Sequence, residues 1–410
     1  MTPLEQFAAK HVPGNASWIA AVLVALVLVW RVVVSGSAPL LDSNPSAGPA
    51  RAATPFPIEA PDAPWRARLA RNPTDYPSLV ILAQHLERQG KIDEAREAMS
   101  TAMRMAPADE RTLVEAAGFN LRLGNELQAL RILRTAVELN PTAAGTTWLI
   151  FVAALDGGRR EAFFADAARD GPLWWPGFFV HACQVGRDVD ALQRVFAVRA
   201  AAASASVGER ACMIERLERE NRWSEAYQSW INSLPGEQRR RIPYVFNGDF
   251  DLPISNIGFD WIIAPQDGVN VDAQSIQGSR GRRALRIEFV RKRWARSPVQ
   301  QTLMLFPGKY RLEGRGRADG LDTWLGVQWG LRCVTGYNQT SQLLATSERF
   351  RGTSDWVAFH DDFTVGPDCP VQVLRLELAD PRPGAAPTEN VVTRINGNVW
   401  FDDFRVRSLD

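Results

Sequence analysis

The chain has 410 residues, more than one ordinary domain uses, and sets 47 basic side chains against 46 acidic ones. A net charge of +1 argues against a general nucleic-acid binder. Only Lys10, Lys91, Lys292 and Lys309 are lysines, so nearly every cation is a guanidinium, a usage that with the abundant Ala fits a GC-rich bacterial genome.

The first element is apolar. "SWIAAVLVALVLVWRVVV", residues 17–34, runs unbroken from Trp18 to Trp30 before Arg31. A helix needs about 17–25 apolar residues to cross a bilayer, and Arg31 can snorkel at its end. The expectation is a short tail (1–16), a transmembrane anchor (17–34) and a Pro/Ser/Ala-rich linker (35–64) that cannot form a core. A cleaved signal peptide fits less well, because Pro39 spoils the small-residue site. Lys10 and His11 before the span nearly balance Arg31 at its end. The simpler orientation leaves the tail inside and exports the bulk: a single-pass bacterial inner-membrane protein, mostly periplasmic.

Next comes a ruler. Pro73, Pro107 and Pro141 are 34 residues apart, as are Gly90 and Gly124, Ala95 and Ala129, Ala102 and Ala136, and Leu79 and Leu113. Leu79, Leu82, Ala83 and Leu86 form one helical stripe; Ala95, Met99 and Ala102 form a second, with small residues where helices touch. Segments 76–109 and 110–143 resemble tetratricopeptide (TPR) repeats. Fainter units follow at Gly158/Ala162, Gly186/Ala191 and "ENRWSEAYQSW" (220–230), giving roughly four to five helix pairs within 65–240. The resemblance implies an α-solenoid that binds a protein partner. The carboxylate-gripping mode of such repeats is not expected, since Val80, Gln84, Glu115 and Gly118 stand at its positions. "LWWPGFF" (173–179) reads as an aromatic joint between repeats or as an interaction patch.

Near residue 244 the period changes to alternation. "ALRIEFV" places Leu285, Ile287 and Phe289 on one face; "TWLGVQWGLRC" does the same for Leu325, Val327, Trp329, Leu331 and Cys333; "WVAFHDDFTV" does so for Val357, Phe359, Phe363 and Val365. At least six strands over 244–410 predict an antiparallel β-sandwich, making the fold class multidomain α plus β. One cysteine pair per region permits disulfides Cys333–Cys369 and Cys183–Cys212, and no C-x-x-C motif suggests zinc. The last strand, "VWFDDFRV" (399–406), poses a conflict. Strict alternation puts Trp400, Asp402, Phe404 and Val406 together, turning a carboxylate toward the core.

"NGDFD" (247–251), Trp261, "RALRIEF", "LFPGKYRLEGRGRAD", "TSDWVAF" and "VWFDDFRV" together resemble a carbohydrate-binding module of the galactose-binding-like jelly-roll type. That resemblance implies one structural calcium held by Asp251 and Asp402; the rival reading has Asp402 capping a backbone turn or meeting an arginine. A sugar site would use outward aromatics with polar neighbours. The candidates are Trp324, Gln328, Arg332 and Trp356, with domain contact as the alternative role. The arginines of 280–296 read as a solvated face or as a surface for an anionic polysaccharide or lipid.

No metal-binding H-E-x-x-H, P-loop or nucleophile elbow is present, and His11, His85, His181 and His360 stand apart. Glu288, Glu313 and Glu377 are outward carboxylates of the sort a glycosidase would recruit. The arrangement resembles repeat proteins associated with bacterial exopolysaccharide production. It implies a non-catalytic adaptor in exopolysaccharide assembly or export, its repeats holding protein and its jelly roll holding glycan. A pure scaffold without a glycan site and a carbohydrate-active enzyme are the alternatives.

Overall fold

In the computed structural model the described residues are 62–409, apart from 142–144, 159, 203–204, 241, 280, 295 and 380–393. The expected tail, anchor and nearly all of the linker lie outside them. Among the described residues no helix is long and apolar enough to cross a membrane. The chain divides into two compact units between Thr147 and Trp148.

The first unit opens with α1 (Ala63–Arg71), which buries none of its residues. Two helix pairs follow: α2 (Tyr76–Arg88) with α3 (Ile92–Met105), and α4 (Glu110–Arg122) with α5 (Glu126–Leu139). Asp75 and Asp109, 34 residues apart, cap α2 and α4 by accepting the Ser78 and Thr112 N–H at 3.3 and 2.8 Å. Gly90 and Gly124 turn each pair at φ 76° and 75° with open space around them, so conformation and not crowding selects glycine. Ala95, Ala102, Ala129 and Ala136 are all buried, which lets the helix backbones approach. Arg122 grips Glu87 through two bonds of 2.7 and 2.8 Å, and Gln84 donates to Glu115, so the first helices of the two pairs are tied.

The unit boundary falls inside α6 (Gly145–Asp156). The second unit continues through α7 (Glu161–Asp170), α8 (Trp175–Val185), α9 (Val189–Ala201), α10 (Val207–Arg219) and α11 (Trp223–Ser233), then the short α12 (Gly236–Arg239). Among the described residues the succession of helices from α2 to α11 is consistent with a repeat array. Trp174, Trp175, Phe178 and Phe179 are sealed inside as a joint, while Leu173 beside them is exposed, at 91%. Beneath them Glu209, fully buried, accepts from Trp175 Nε1 at 2.8 Å and Arg199 Nε at 3.2 Å. Cys183 and Cys212 are free thiols, not the disulfide the sequence allowed. A hydrogen bond to Cys212 and burial hold the Cys183 thiol protonated.

The sandwich consists of two five-stranded antiparallel sheets in a jelly roll. The first runs β1 (Ile262–Ile263), β4 (Val299–Leu303), β9 (Gln372–Leu378), β6 (Val327–Gly336), β7 (Gln339–Thr346). The second runs β2 (Val269–Gln274), β3 (Ala284–Arg293), β10 (Arg394–Ser408), β5 (Gly308–Thr323), β8 (Gly352–Val365). Between them Trp261, Trp329, Phe401 and Phe404 interlock, with Trp329 and Phe404 ring centres 4.8 Å apart. Val357, expected inward, is 42% exposed on the edge strand β8. A disulfide joins Cys333 on β6 to Cys369 before β9, with Cα atoms 5.4 Å apart.

Packing sets the unit boundary well before the change of period near residue 244, because the last helices pack on the sandwich. Trp230 meets Phe246 and Phe259 at 5.1 and 5.7 Å, and the Tyr337 hydroxyl donates to Glu215 at 3.2 Å. Gly258, at φ 58°, lies against the Trp230 ring, where a Cβ would come within 3.0 Å.

The conflict in the last strand is removed by a β-bulge. Between Asp402 and Arg405 the register with β5 slips by one residue, and Asp403 adopts φ 59°. Val399, Phe401, Phe404 and Val406 therefore all face the core, while Trp400 and Asp402 turn to the outer face of the second sheet. The expectation that Asp402 shares a face with Phe404 is thereby corrected; strict alternation cannot see an inserted residue.

Candidate functional site

The four residues expected to gather around a sugar are not brought together. Gln328 and Arg332 lie on the outer face of the first sheet, where Gln328 is largely buried and Arg332 is clamped to Glu377 by two 3.0 Å bonds. Arg375 also reaches Glu377, at 3.3 Å, closing that face as an ionic cluster. Trp324 sits between β5 and β6 and is 50% exposed. Trp356 belongs to the other sheet, on edge strand β8.

Around Trp356 the second sheet assembles a row the sequence reading did not single out. Alternation along β5 sends Arg311, Glu313, Arg315 and Arg317 outward together. The Arg315 guanidinium lies over the Trp356 ring at 4.7 Å, and that of Arg317 over Trp400 at 5.6 Å. Trp400 pairs across the ladders with Arg317 on one side and Arg286 on the other. Arg286 donates to Asn398 at 2.9 Å and pairs with Glu288 at 3.2 Å. Trp400 is only 8% exposed, and its Nε1 is sealed with no hydrogen-bond partner among the described residues. The visible signal was the spacing of "RLEGRGR"; its meaning depended on Trp400 being outward, which the bulge decides.

One end of this face is covered. The connection from β2 to β3 reaches over β10 and β5, and Trp356 Nε1 donates to the Gln277 carbonyl at 3.2 Å. Asp251 fastens the far side of the connection, its Oδ1 accepting the Arg282 and Arg283 N–H groups at 2.7 and 3.1 Å. Asp402 is fully buried and accepts the Asp403 N–H at 2.7 Å. One oxygen of each carboxylate named for calcium thus accepts backbone N–H groups. Calcium takes about six to eight oxygens. Among the described residues no group of three His, Cys, Asp or Glu side chains converges to start such a shell.

The carboxylates a hydrolase would recruit are engaged elsewhere. Glu288 pairs with Arg286, Glu313 with Arg407, and Glu377 with Arg332 and Arg375. Glu218 differs: burial and the neighbouring Glu215 push its pKa up to about 7. It lies on α10 beside the Tyr337 contact, away from the arginine row.

No family model and no curated protein sequence matches the chain. Among solved structures it is similar to a CBM4 structure at 17% identity, covering 40% of this chain and 99% of that one, with a TM-score of 0.29. It is also similar to the CBM22-1 xylan-binding domain from Paenibacillus barcinonensis, at 14% identity over 37% of this chain and 86% of that one, TM-score 0.27. A family 16 carbohydrate-binding module matches at 17% identity over 40% and 99%, TM-score 0.27. Such scores say nothing of a ligand, so the site is read from its own geometry.

Proposed function

We propose that the protein holds other molecules without transforming them, and that the outer face of the second sheet binds a glycan. One observation supports this most: Trp356, Trp400, Arg315, Arg317, Arg286 and Asn398 form a row of aromatic and hydrogen-bonding groups on a rigid sheet. Sugars offer hydroxyl acceptors, which the donors of such a row complement. The helix pairs, read as TPR-like, bind a protein partner. Residues 17–34 anchor the chain in the bacterial inner membrane with its bulk in the periplasm, where it acts as an adaptor in exopolysaccharide assembly or export. The ion-paired carboxylates support a non-catalytic role, since an acid–base pair needs unclamped groups facing a shared substrate.

A scaffold reading is favoured by the Trp230–Phe246–Phe259 joint, which ties the sandwich to the helices. Native affinity electrophoresis of the full chain in gels containing soluble polysaccharides separates the two. Retardation that Trp356→Ala weakens supports the glycan site; unchanged mobility in every polymer leaves the scaffold. Alkaline phosphatase fused after residue 60 tests the orientation, with activity expected.

A further inference from the structure

From the arginine row we infer that the glycan is acidic, carrying carboxylates as a uronate polymer does; this rests on the glycan-binding reading above. On the outer face of the second sheet, most arginines are neutralised. Arg311 meets Asp362, Arg405 meets Asp403, Arg407 meets Glu313, and Arg286 meets Glu288. Arg315 and Arg317 meet no carboxylate within salt-bridge distance among the described residues; each lies on a tryptophan ring. Both are partly buried, and one strand presents them two residues apart. The nearest opposing charge in the ladder is Asp402, the cross-strand neighbour of Arg315, whose Oδ1 accepts the Asp403 N–H.

Stacking decides the ligand chemistry. A guanidinium over an indole covers the face on which a neutral sugar ring would stack, so Trp356 and Trp400 do not offer that surface. What each guanidinium retains is a planar fork of N–H donors, which fits a carboxylate with two parallel bonds. The ring beneath fixes the fork and lowers the entropy lost on binding. Partial burial keeps the two cations from being fully screened by salt.

The test is native affinity electrophoresis of the full chain in polygalacturonate, with unsubstituted neutral xylan, dextran sulfate and polyglutamate as parallel arms. Polygalacturonate is expected to retard the chain most. Arg315→Gln and Arg317→Gln are each expected to weaken that retardation about tenfold, the loss of one charge-assisted contact. The conservative Arg317→Lys keeps the charge but loses the fork and is expected to recover only part. Retention in xylan equal to that in polygalacturonate, unaffected by the arginine variants, would overturn the acidic class while leaving the glycan site. Equal retention in dextran sulfate or polyglutamate would overturn carboxylate-sugar recognition. Retention in no polymer would remove the underlying reading as well. Circular dichroism of each variant confirms that the fold is intact.

Discussion

The two outer faces of the sandwich use the same residue type for opposite ends. On the first sheet Arg332 and Arg375 both close on Glu377, so their hydrogen-bonding groups are engaged within the fold. On the second sheet Arg315 and Arg317 lie over tryptophan rings and meet no carboxylate within salt-bridge distance among the described residues. An arginine beside a carboxylate braces a sheet; an arginine on an aromatic ring holds an unspent charge in a fixed place. The first sheet is also tied to a helix, through Tyr337 in the turn after β6. Stability should therefore concentrate on one face and binding on the other.

The largest expected effect is on the bracing side. Replacing Cys333 and Cys369 together by Ser should lower stability by about 2–4 kcal/mol in urea unfolding, the usual worth of a disulfide closing such a loop. Loss of glycan binding without loss of stability would break the comparison.

Glu218 should come next. Its ordinary value is 4.5, and burial beside Glu215 raises it to about 7. Between those values the folded chain keeps a proton that the unfolded chain has released. Stability should fall as pH rises from about 4.5 to about 7 and stay low above, by about 3–4 kcal/mol at most. Glu218→Gln should flatten that part of the pH–stability curve and stabilise the chain at pH 8. A curve of unchanged slope would show that Glu218 is not held protonated.

Glu377→Gln should cost about 1–2 kcal/mol, because Arg332 and Arg375 lose their shared anion while partly screened from water. Binding to the opposite face should not change. Arg317→Gln reverses the pattern: under about 1 kcal/mol of stability, the scale of an exposed cation–π contact, with binding impaired. The smallest effect should be that of calcium. Backbone N–H groups already meet Asp251 and Asp402, so added calcium should leave the thermal midpoint where EDTA leaves it. A rise of several degrees would return the ion to that pair.

Much of this was written in the chain at short range. The glycine turns, the buried alanines and the capped helices repeat every 34 residues because each pair must bury a stripe against the next. The inward residues of β6 follow from alternation alone, and Cys333 falls among them. The binding face was not legible in the same way. "RLEGRGR" announced outward arginines, but nothing local said which would find an acid and which a tryptophan. Glu209 is a sharper case: it reads as an ordinary helical glutamate and is fully buried under Trp175 and Arg199.

By itself the sequence determined the periods: helix pairs, then strands, and which residues each element could bury. Those follow from backbone geometry repeated over neighbours in the chain. Only the tertiary structure decided where Asp402 and Trp400 would turn, through one inserted residue at Asp403, and which arginines would remain uncompensated on the second sheet. Both depend on partners some 50 to 115 residues away in the chain, such as Asp362 to Arg311 and Asn398 to Arg286, and pairing at that range is settled by which strands lie side by side.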